Sequence, residues 1–265
     1  MSKKLRIKYY VEPDSTALAR HAAQYFVEMA GEAVEARGRA RIAISGGSTP
    51  KAAFALLADT SQPWRWRMPW DSLDLFWVDE RTVPPDNAES NFRMTREAML
   101  DQVPLKPEQI HRIQGELEPQ DAADRYESDL RNSFRLEGAE LPRFDLVALG
   151  MGDDGHTASL FPRTAALHEK TRLATANQVP QKDTWRITLT WPVINHASSV
   201  FFLIAGTDKA AVLNEVLTGP RDPERLPSQL IWPCSGILTL ILDKAAAALL
   251  PATDGDGCGV LERER

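Results

Sequence analysis

Short apolar runs alternate with segments of helical periodicity along most of this 265-residue chain. The runs at 41–44, 73–78, 144–149 and 200–205 are too short for typical helices, and their apolar composition predicts buried strands. Strands that alternate with helices favour an α/β, Rossmann-like fold, in which a mostly parallel central sheet carries helices on both faces.

The remaining segments continue this alternation without an intervening linker. Strands or extended segments are predicted at 5–11, 110–113, 172–179, 186–190 and 237–242, and helices at 13–36, 50–58, from about 91, at 119–136 and at 208–217. We therefore expect a single α/β domain over residues 1–250. Residues 251–265 are rich in Gly, Asp and Glu, so we expect them to form a disordered C-terminal tail.

A polar loop, Gly150–Pro162, directly follows the apolar run at 144–149 and reads GMGDDGHTASLFP. Ligands of open α/β sheets bind outside the carboxyl ends of the strands, so His156 and the pair Asp153 and Asp154 are predicted to lie where such folds do chemistry. The glycines of the loop allow a close backbone approach to a ligand or a positive φ. The alternative is a tight turn with a solvated aspartate pair and an incidental histidine.

A second loop, Ser45–Pro50, lies between the apolar run at 41–44 and the predicted helix at 50–58. Unpaired N–H groups and the helix dipole favour an anion at such a helix start, where Ser48 or Thr49 is the predicted cap. The sequence lacks the signatures of a nucleotide P-loop and of a dinucleotide fingerprint, so a phosphomonoester is the predicted ligand. The predicted binding residues are Ser45, Gly46, Gly47, Ser48 and Thr49. The alternative is a plain glycine-rich turn.

A third loop follows the run at 73–78 and begins with Asp79, Glu80 and Arg81. Arg81 has the chemistry to clamp a phosphate or to stabilise an oxyanion. Asp79 has the chemistry to orient a histidine or to accept a hydrogen bond from a substrate hydroxyl. The alternative is an ion pair among the three side chains at the surface, which contributes little stability.

The formal net charge of −6 at pH 7 argues against a general nucleic-acid or acidic-membrane surface. An anionic substrate therefore needs local cations, and Arg186 and Lys209 are the candidates, with ordinary solvated cations as the alternative. We expect a cytoplasmic protein, because the chain has no apolar run of membrane-spanning length, no signal-peptide core and only two cysteines. The segment at 63–70, which combines Trp with Arg, is expected to be a surface connection rather than a base-stacking site.

The three loops together resemble the 6-phosphogluconolactonase family, within the wider superfamily that includes glucosamine-6-phosphate deaminase. The segments that carry the resemblance are 45–50, 78–84 with Ser90–Asn91, and 150–162, supported by 186–190 and 205–210. The likeness runs from about Leu5 to Leu250. In the deaminase a carboxylate stands five residues after the loop histidine, whereas here that position is Phe161. Phe92 stands where the lactonase pattern commonly has Tyr.

The resemblance implies hydrolysis of 6-phospho-D-glucono-1,5-lactone to 6-phospho-D-gluconate, a step of the oxidative pentose phosphate pathway, without a metal or another cofactor. His156 would act as general base on a water, and Asp154 would hold its imidazole. Arg81 and Asp79 complete the predicted catalytic set. Arg186 and Lys209 would hold the phosphate together with the 45–49 loop.

Two rival functions remain open at this point: a sugar-phosphate isomerase or deaminase, and a non-catalytic sugar-phosphate sensor. Phe161 disfavours the first. The second is disfavoured because no segment is left over for a DNA-binding module. The expected partner is a small-molecule sugar-phosphate lactone rather than a nucleic acid or a membrane, and the expected assembly is a monomer or a small homo-oligomer.

Overall fold

The computed structural model describes residues 4–234 and 237–264, which form two β-sheets with surrounding helices. The strands are β1 (Lys4–Glu12), β2 (Ala40–Ile44), β3 (Leu73–Trp77), β4 (Asp79–Arg81), β5 (Ile110–His111), β6 (Leu146–Leu149), β7 (Ala174–Val179), β8 (Thr184–Leu189), β9 (Ser199–Ile204), β10 (Ile237–Asp243) and β11 (Cys258–Glu264). The α-helices are α1 (Ser15–Arg37), α2 (Ser48–Ala58), α3 (Pro63–Arg67), α4 (Asn91–Ala98), α5 (Pro119–Phe134), α6 (Trp191–His196) and α7 (Ala210–Thr218). Residues 1–3 and 235–236 of the predicted domain and residue 265 of the predicted tail lie outside the described ranges.

The larger sheet has eight strands in the order β11-β1-β10-β9-β6-β2-β3-β5. All neighbouring pairs from β1 to β5 are parallel, and only β11 runs antiparallel to its neighbour. The α/β prediction with a mostly parallel sheet is thus confirmed. The parallel arrangement also brings the carboxyl ends of β2, β3, β6 and β9 to one edge of the sheet, where the predicted loops begin.

The C-terminal segment corrects the prediction of a disordered tail over 251–265. Its strand β11 pairs with β1 from Lys4 opposite Glu264 to Tyr10 opposite Cys258. Leu261 packs against the hydrophobic core, and Arg263 donates a hydrogen bond to the backbone oxygen of Val216 at the end of α7. The free edge of β1 offers unpaired N–H and C=O groups, and pairing with β11 satisfies them despite the polar composition of the tail.

A second sheet, β4-β8-β7, is antiparallel and was not predicted. Its strand β4 occupies the start of the segment that was predicted to be a loop, with Asp79 opposite Thr188 and Arg81 opposite Arg186. A strand of 3 residues is too short to show an alternating pattern in the sequence. It is recognised as a strand only because it pairs with β8, which is distant in the chain. The consequence is that Arg81 and Arg186 are neighbours across two strands.

The ends of the first two helices differ in how they are capped. Asp14 caps α1, because its Oδ1 accepts hydrogen bonds from the backbone N–H groups of Thr16 and Ala17 at 2.9 Å. The predicted cap of α2 at Ser48 or Thr49 is wrong. Gly47 is the N-cap, with φ 115°, and no side chain caps this helix. Glycine suits that backbone conformation because an L side chain is strained there.

A single cluster of buried apolar residues unites the central strands with α1, α2 and α5. The single-domain boundaries remain a prediction. The segment at 63–70 contains the short helix α3, and Trp66 within it is 71% exposed, in keeping with a surface connection. Among the described residues, the helices lack the combination of length and apolar character that crossing a bilayer requires.

Candidate active site

A cavity of about 260 Å³ opens at the sheet edge where β2, β6 and β9 end. Its walls come from the loops after these strands, from β4 and from the first turns of α2 and α4. The lining residues are Ser45, Gly46, Gly47, Ser48, Thr49, Pro50, Asp79, Arg81, Asn91, Gly150, Met151, Gly152, His156, Ala158, Leu203, Ile204, Ala205 and Lys209. Of the predicted site residues, only Asp154 and Arg186 are outside this lining, and each lies beside a residue within it.

His156 is paired with Asp154 inside its own loop. The Nδ1 atom of His156 lies 2.5 Å from Oδ1 of Asp154, and the same oxygen accepts the backbone N–H of His156 at 3.0 Å. Burial alone would raise the pKa of Asp154, but the hydrogen bonds and the charge of His156 lower it below its usual value. A carboxylate that stays ionised at Nδ1 fixes the tautomer and leaves Nε2 for a reacting group.

Gly152 makes room for this imidazole. A Cβ atom at position 152 would lie 2.0 Å from Nδ1 of His156 and 2.7 Å from Oδ1 of Asp154. The loop also turns back on itself, because the backbone N–H of Gly152 donates to the carbonyl oxygen of His156 at 2.9 Å. The glycine at this position is therefore required by a side chain of the site rather than by its own φ.

No hydrogen bond joins the side chains of Asp79 and His156. Asp79 is buried, and its Oδ2 accepts a hydrogen bond from Ser159 Oγ at 2.6 Å. Ser159 is tied in turn to β7, because Asn177 donates to its backbone oxygen at 2.9 Å. The structure thus assigns the orienting contact with the histidine to Asp154. Asp79, the first residue of β4, instead connects that strand to the histidine loop through Ser159, and it also lines the cavity.

Arg81 lines the cavity, and Arg186 lies opposite it on the neighbouring strand β8. Arg81 donates to the backbone oxygen of Glu89 at 2.9 Å, and Arg186 donates to Thr184 Oγ1 at 2.9 Å. Burial, followed by the nearby charge of Arg81, lowers the pKa of Arg186. Like charges opposite each other on paired strands are unfavourable, so this pair is suited to a bound anion.

The first turn of α2 supplies a different kind of anion site. Because no side chain caps this helix, its first N–H groups are available to a ligand in the cavity. Ser45 lines the cavity, and its hydroxyl donates to the carbonyl oxygen of Ala148 at 2.7 Å and so joins β2 to β6. Lys209 reaches the cavity from the turn after β9, with its Nζ 3.0 Å from the exposed Asp208.

Two residues outside the predicted set contribute to the site: Asn91 lines the cavity, and Glu80 holds Asn91 in place. The buried carboxylate of Glu80 accepts hydrogen bonds from the backbone N–H groups of Arg81, Asn91 and Phe92 and from Ser90 Oγ. Burial raises the pKa of Glu80, and these backbone bonds oppose that rise. Glu80 thereby joins β4 to the start of α4 and brings Asn91 to the cavity. The only sequence signal was the Ser90–Asn91 pair at a helix start.

The other histidines bind partners away from the cavity: His21 with Glu12, His111 with Asp129, His168 with Glu224, and His196 with the carbonyl oxygen of Pro142. Within residues 4–234 and 237–264, the His, Cys, Asp and Glu side chains form no group of three or more that is arranged to hold a metal ion.

Comparison with known proteins agrees with this geometry. The family model described as glucosamine-6-phosphate isomerases/6-phosphogluconolactonase matches residues 13–240. The chain belongs to this family. A 6-phosphogluconolactonase of Nostoc sp. is 43% identical over 91% of this chain and 97% of its own length, and one of Synechocystis sp. is 42% identical over 83% and 89%. The solved structure of 6-phosphogluconolactonase from Trypanosoma cruzi has a TM-score of 0.80 at 32% identity, covering 95% of this chain and 99% of that one.

Phe161 covers one face of the imidazole of His156. The ring of His156 stacks on that of Phe161, with centroids 4.1 Å apart and planes at 20°. Phe161 is buried and occupies the position at which the deaminase pattern has a carboxylate. The imidazole is therefore held between a carboxylate at Nδ1 and an apolar face, with no second carboxylate supplied from position 161.

Proposed function

We propose that this chain hydrolyses 6-phospho-D-glucono-1,5-lactone to 6-phospho-D-gluconate with His156 as the general base. The observation that carries the proposal is that His156, paired with Asp154, lines the same cavity as the uncapped start of α2. A base and an anion site within one cavity match a substrate that has an electrophilic carbonyl and a phosphate at its two ends.

In the proposed reaction, Nε2 of His156 takes a proton from a water whose oxygen attacks C1 of the lactone. The tetrahedral oxyanion then collapses, the bond between C1 and the ring oxygen breaks, and that oxygen takes the proton from Nε2 of the imidazolium to become a hydroxyl group. This returns His156 to its neutral form, and the new carboxylic acid releases its proton to solvent to give 6-phospho-D-gluconate. Asp154 stabilises the imidazolium that forms, because its carboxylate remains ionised at Nδ1. A lactone carbonyl is already electrophilic, so the proposal includes no metal, cofactor or covalent intermediate.

The phosphate is assigned to the first turn of α2, Lys209 and Arg186. Ser48 and Thr49 add hydroxyls there, whereas Ser45 and Gly46 shape the loop. Two roles are open for Arg81, namely binding of the phosphate and stabilisation of the oxyanion. The variant Arg81→Gln separates them, since loss of a phosphate ligand raises KM, and loss of an oxyanion ligand lowers kcat.

The deaminase alternative is less well supported, because Phe161 supplies no carboxylate to the histidine and the curated relatives above are named lactonases. We further propose a cytoplasmic enzyme that acts on the small-molecule lactone without nucleic acid or membrane, as a monomer or a small homo-oligomer.

The test generates the lactone in situ with glucose-6-phosphate dehydrogenase and follows its disappearance above the spontaneous rate. The wild type is expected to accelerate the loss and His156→Ala to abolish the acceleration. His168→Ala serves as the matched control, because His168 is exposed and pairs with Glu224 outside the cavity. If folded wild-type protein does not accelerate loss of the lactone, the proposal is refuted. Release of ammonia from glucosamine 6-phosphate would then support the deaminase alternative.

A further inference from the structure

Asn91 lines the cavity without a role in the proposed reaction. It is the first residue of α4, only 3% of its surface is exposed, and it faces the same space as His156 and Lys209. A buried amide must place its polar atoms against partners, so the atoms that lack one within the protein indicate what a ligand supplies.

Three of the polar atoms of Asn91 are occupied. Its backbone N–H donates to Glu80 Oε1 at 2.7 Å, its backbone oxygen accepts from Thr95 Oγ1 at 2.9 Å, and its Nδ2 donates to the backbone oxygen of Asp79 at 3.0 Å. The remaining atom, Oδ1, accepts no hydrogen bond from residues 4–234 or 237–264, and it is not among the polar atoms sealed inside the protein without a partner. It therefore remains open to the cavity.

The position of Oδ1 is also defined. A Cβ atom on Gly46 would lie 1.8 Å from it, so the side-chain amide of Asn91 lies directly against the Ser45–Pro50 loop. Because Nδ2 is held by Asp79, the amide cannot exchange its two ends without losing that bond. The cavity consequently meets a fixed acceptor at this point, between the anion site and β4.

An acceptor selects a donor. The hydroxyl groups of a sugar lactone donate hydrogen bonds, whereas a dianionic phosphate group, the carboxylate group of the product and an oxyanion only accept them. We propose that Oδ1 of Asn91 accepts a hydrogen bond from one ring hydroxyl of the substrate and makes the enzyme selective for lactones that carry it. The proposal rests on the proposed function and adds a specificity-determining residue to it.

The expected effect follows from leaving a buried acceptor unpaired. A lactone that lacks the recognised hydroxyl cannot satisfy Oδ1, and we expect its kcat/KM to fall by about tenfold. The 2-deoxy, 3-deoxy and 4-deoxy forms of the phosphorylated lactone, prepared by chemical oxidation of the deoxyglucose 6-phosphates, probe the three hydroxyls in turn.

The experiment measures kcat/KM for the parent lactone and the three deoxy forms with wild type, Asn91→Asp and Asn91→Leu. Both variants lose the donation to Asp79, so a merely structural role affects them alike. Only Asn91→Asp keeps an acceptor oxygen. At least one deoxy form should be about tenfold poorer with wild type and Asn91→Asp, and within about twofold of the parent with Asn91→Leu. Asn91→Ala replaces Asn91→Leu if circular dichroism shows that the latter is unfolded.

Equal ratios of parent to deoxy activity in all these proteins, for each of the three analogues, would overturn the role of Asn91 and leave the lactonase proposal intact. Absence of turnover of the parent lactone by folded wild type would instead overturn the proposed function. The two failures are thus distinguished by the wild-type rate with the parent substrate.

Discussion

Replacement of Gly152 by alanine tests whether the position of the imidazole limits the reaction. The new Cβ would lie 2.0 Å from His156 Nδ1, and the ring cannot rotate away freely because Asp154 binds one edge and Phe161 covers one face. Ordinary contact begins at 3.4 Å, so the ring must retreat by about 1.4 Å. Misplacement of a catalytic group by about 1 Å can cost about 100-fold in rate, so we expect kcat to fall at least that far.

The same change should leave binding and folding nearly intact. The proposed phosphate ligands lie on α2, β8 and the turn after β9, so KM should change by less than about threefold. The Asp154–His156 bond is partly exposed, and its loss should cost the free energy of unfolding about 1 kcal/mol at most. The assay is lactone disappearance corrected for spontaneous hydrolysis, together with a thermal melt of each protein.

Gly150→Ala is the matched control in the same loop. A Cβ at position 150 meets no atom within 4 Å among the described residues, so kcat should be retained within about threefold, and any narrowing of the cavity should appear in KM. The reasoning is refuted if Gly152→Ala is folded and keeps kcat within about threefold of wild type, because the imidazole would then tolerate the displacement that the structure requires.

Three further predictions concern other parts of the molecule. Arg186→Ala and Lys209→Ala should each raise KM by about tenfold with little change in kcat. Lys170 is exposed, so Lys170→Ala serves as the control and should change neither constant. An unchanged KM in either of the first two variants would show that the replaced residue does not bind the phosphate. Glu169→Gln should lower the free energy of unfolding by about 1 kcal/mol at pH 7. The backbone N–H groups of Arg172 and Thr171 lower the pKa of Glu169 from 4.5 to about 2, so its contribution is complete above pH 4.5 and is lost as the pH falls towards 2. Urea unfolding of both proteins at pH 7 and pH 3 should show this difference shrinking, and a constant difference would contradict it. Deletion of residues 258–265 should lower the free energy of unfolding by about 2 kcal/mol or more, because the pairing with β1 and the packing of Leu261 are lost. An unchanged melting temperature would show that β11 contributes nothing to stability.

The positions of the three cavity loops were predictable because each follows an apolar run that is recognisable locally. The runs at 41–44 and 144–149 became β2 and β6, and parallel pairing necessarily placed the loops after them at one edge. The role of Ser45 was not predictable in this way. Its hydroxyl donates a hydrogen bond to the carbonyl oxygen of Ala148 on the neighbouring strand. That contact depends on the order of the strands in the sheet rather than on the local motif.

The contacts of Asp79 and Glu80 show the same limit. The alternative to a catalytic role for the adjacent acids was a surface ion pair, yet both are buried, one bound to Ser159 and the other to the start of α4. Their partners are remote in the chain, so no spacing rule links them. The C-terminal strand was missed for a related reason, since its polar composition indicates disorder until the free edge of β1 is known.

The sequence by itself determined the α/β class and the chemistry available in each loop, because these depend on local periodicity and on residues close together in the chain. Only the tertiary structure decided that Arg81 faces Arg186, that Phe161 covers the imidazole and that Asn91 presents a free acceptor. Those facts depend on which strands pair and which loops pack together, and both are settled by the burial of apolar surface over the whole molecule rather than by any single segment.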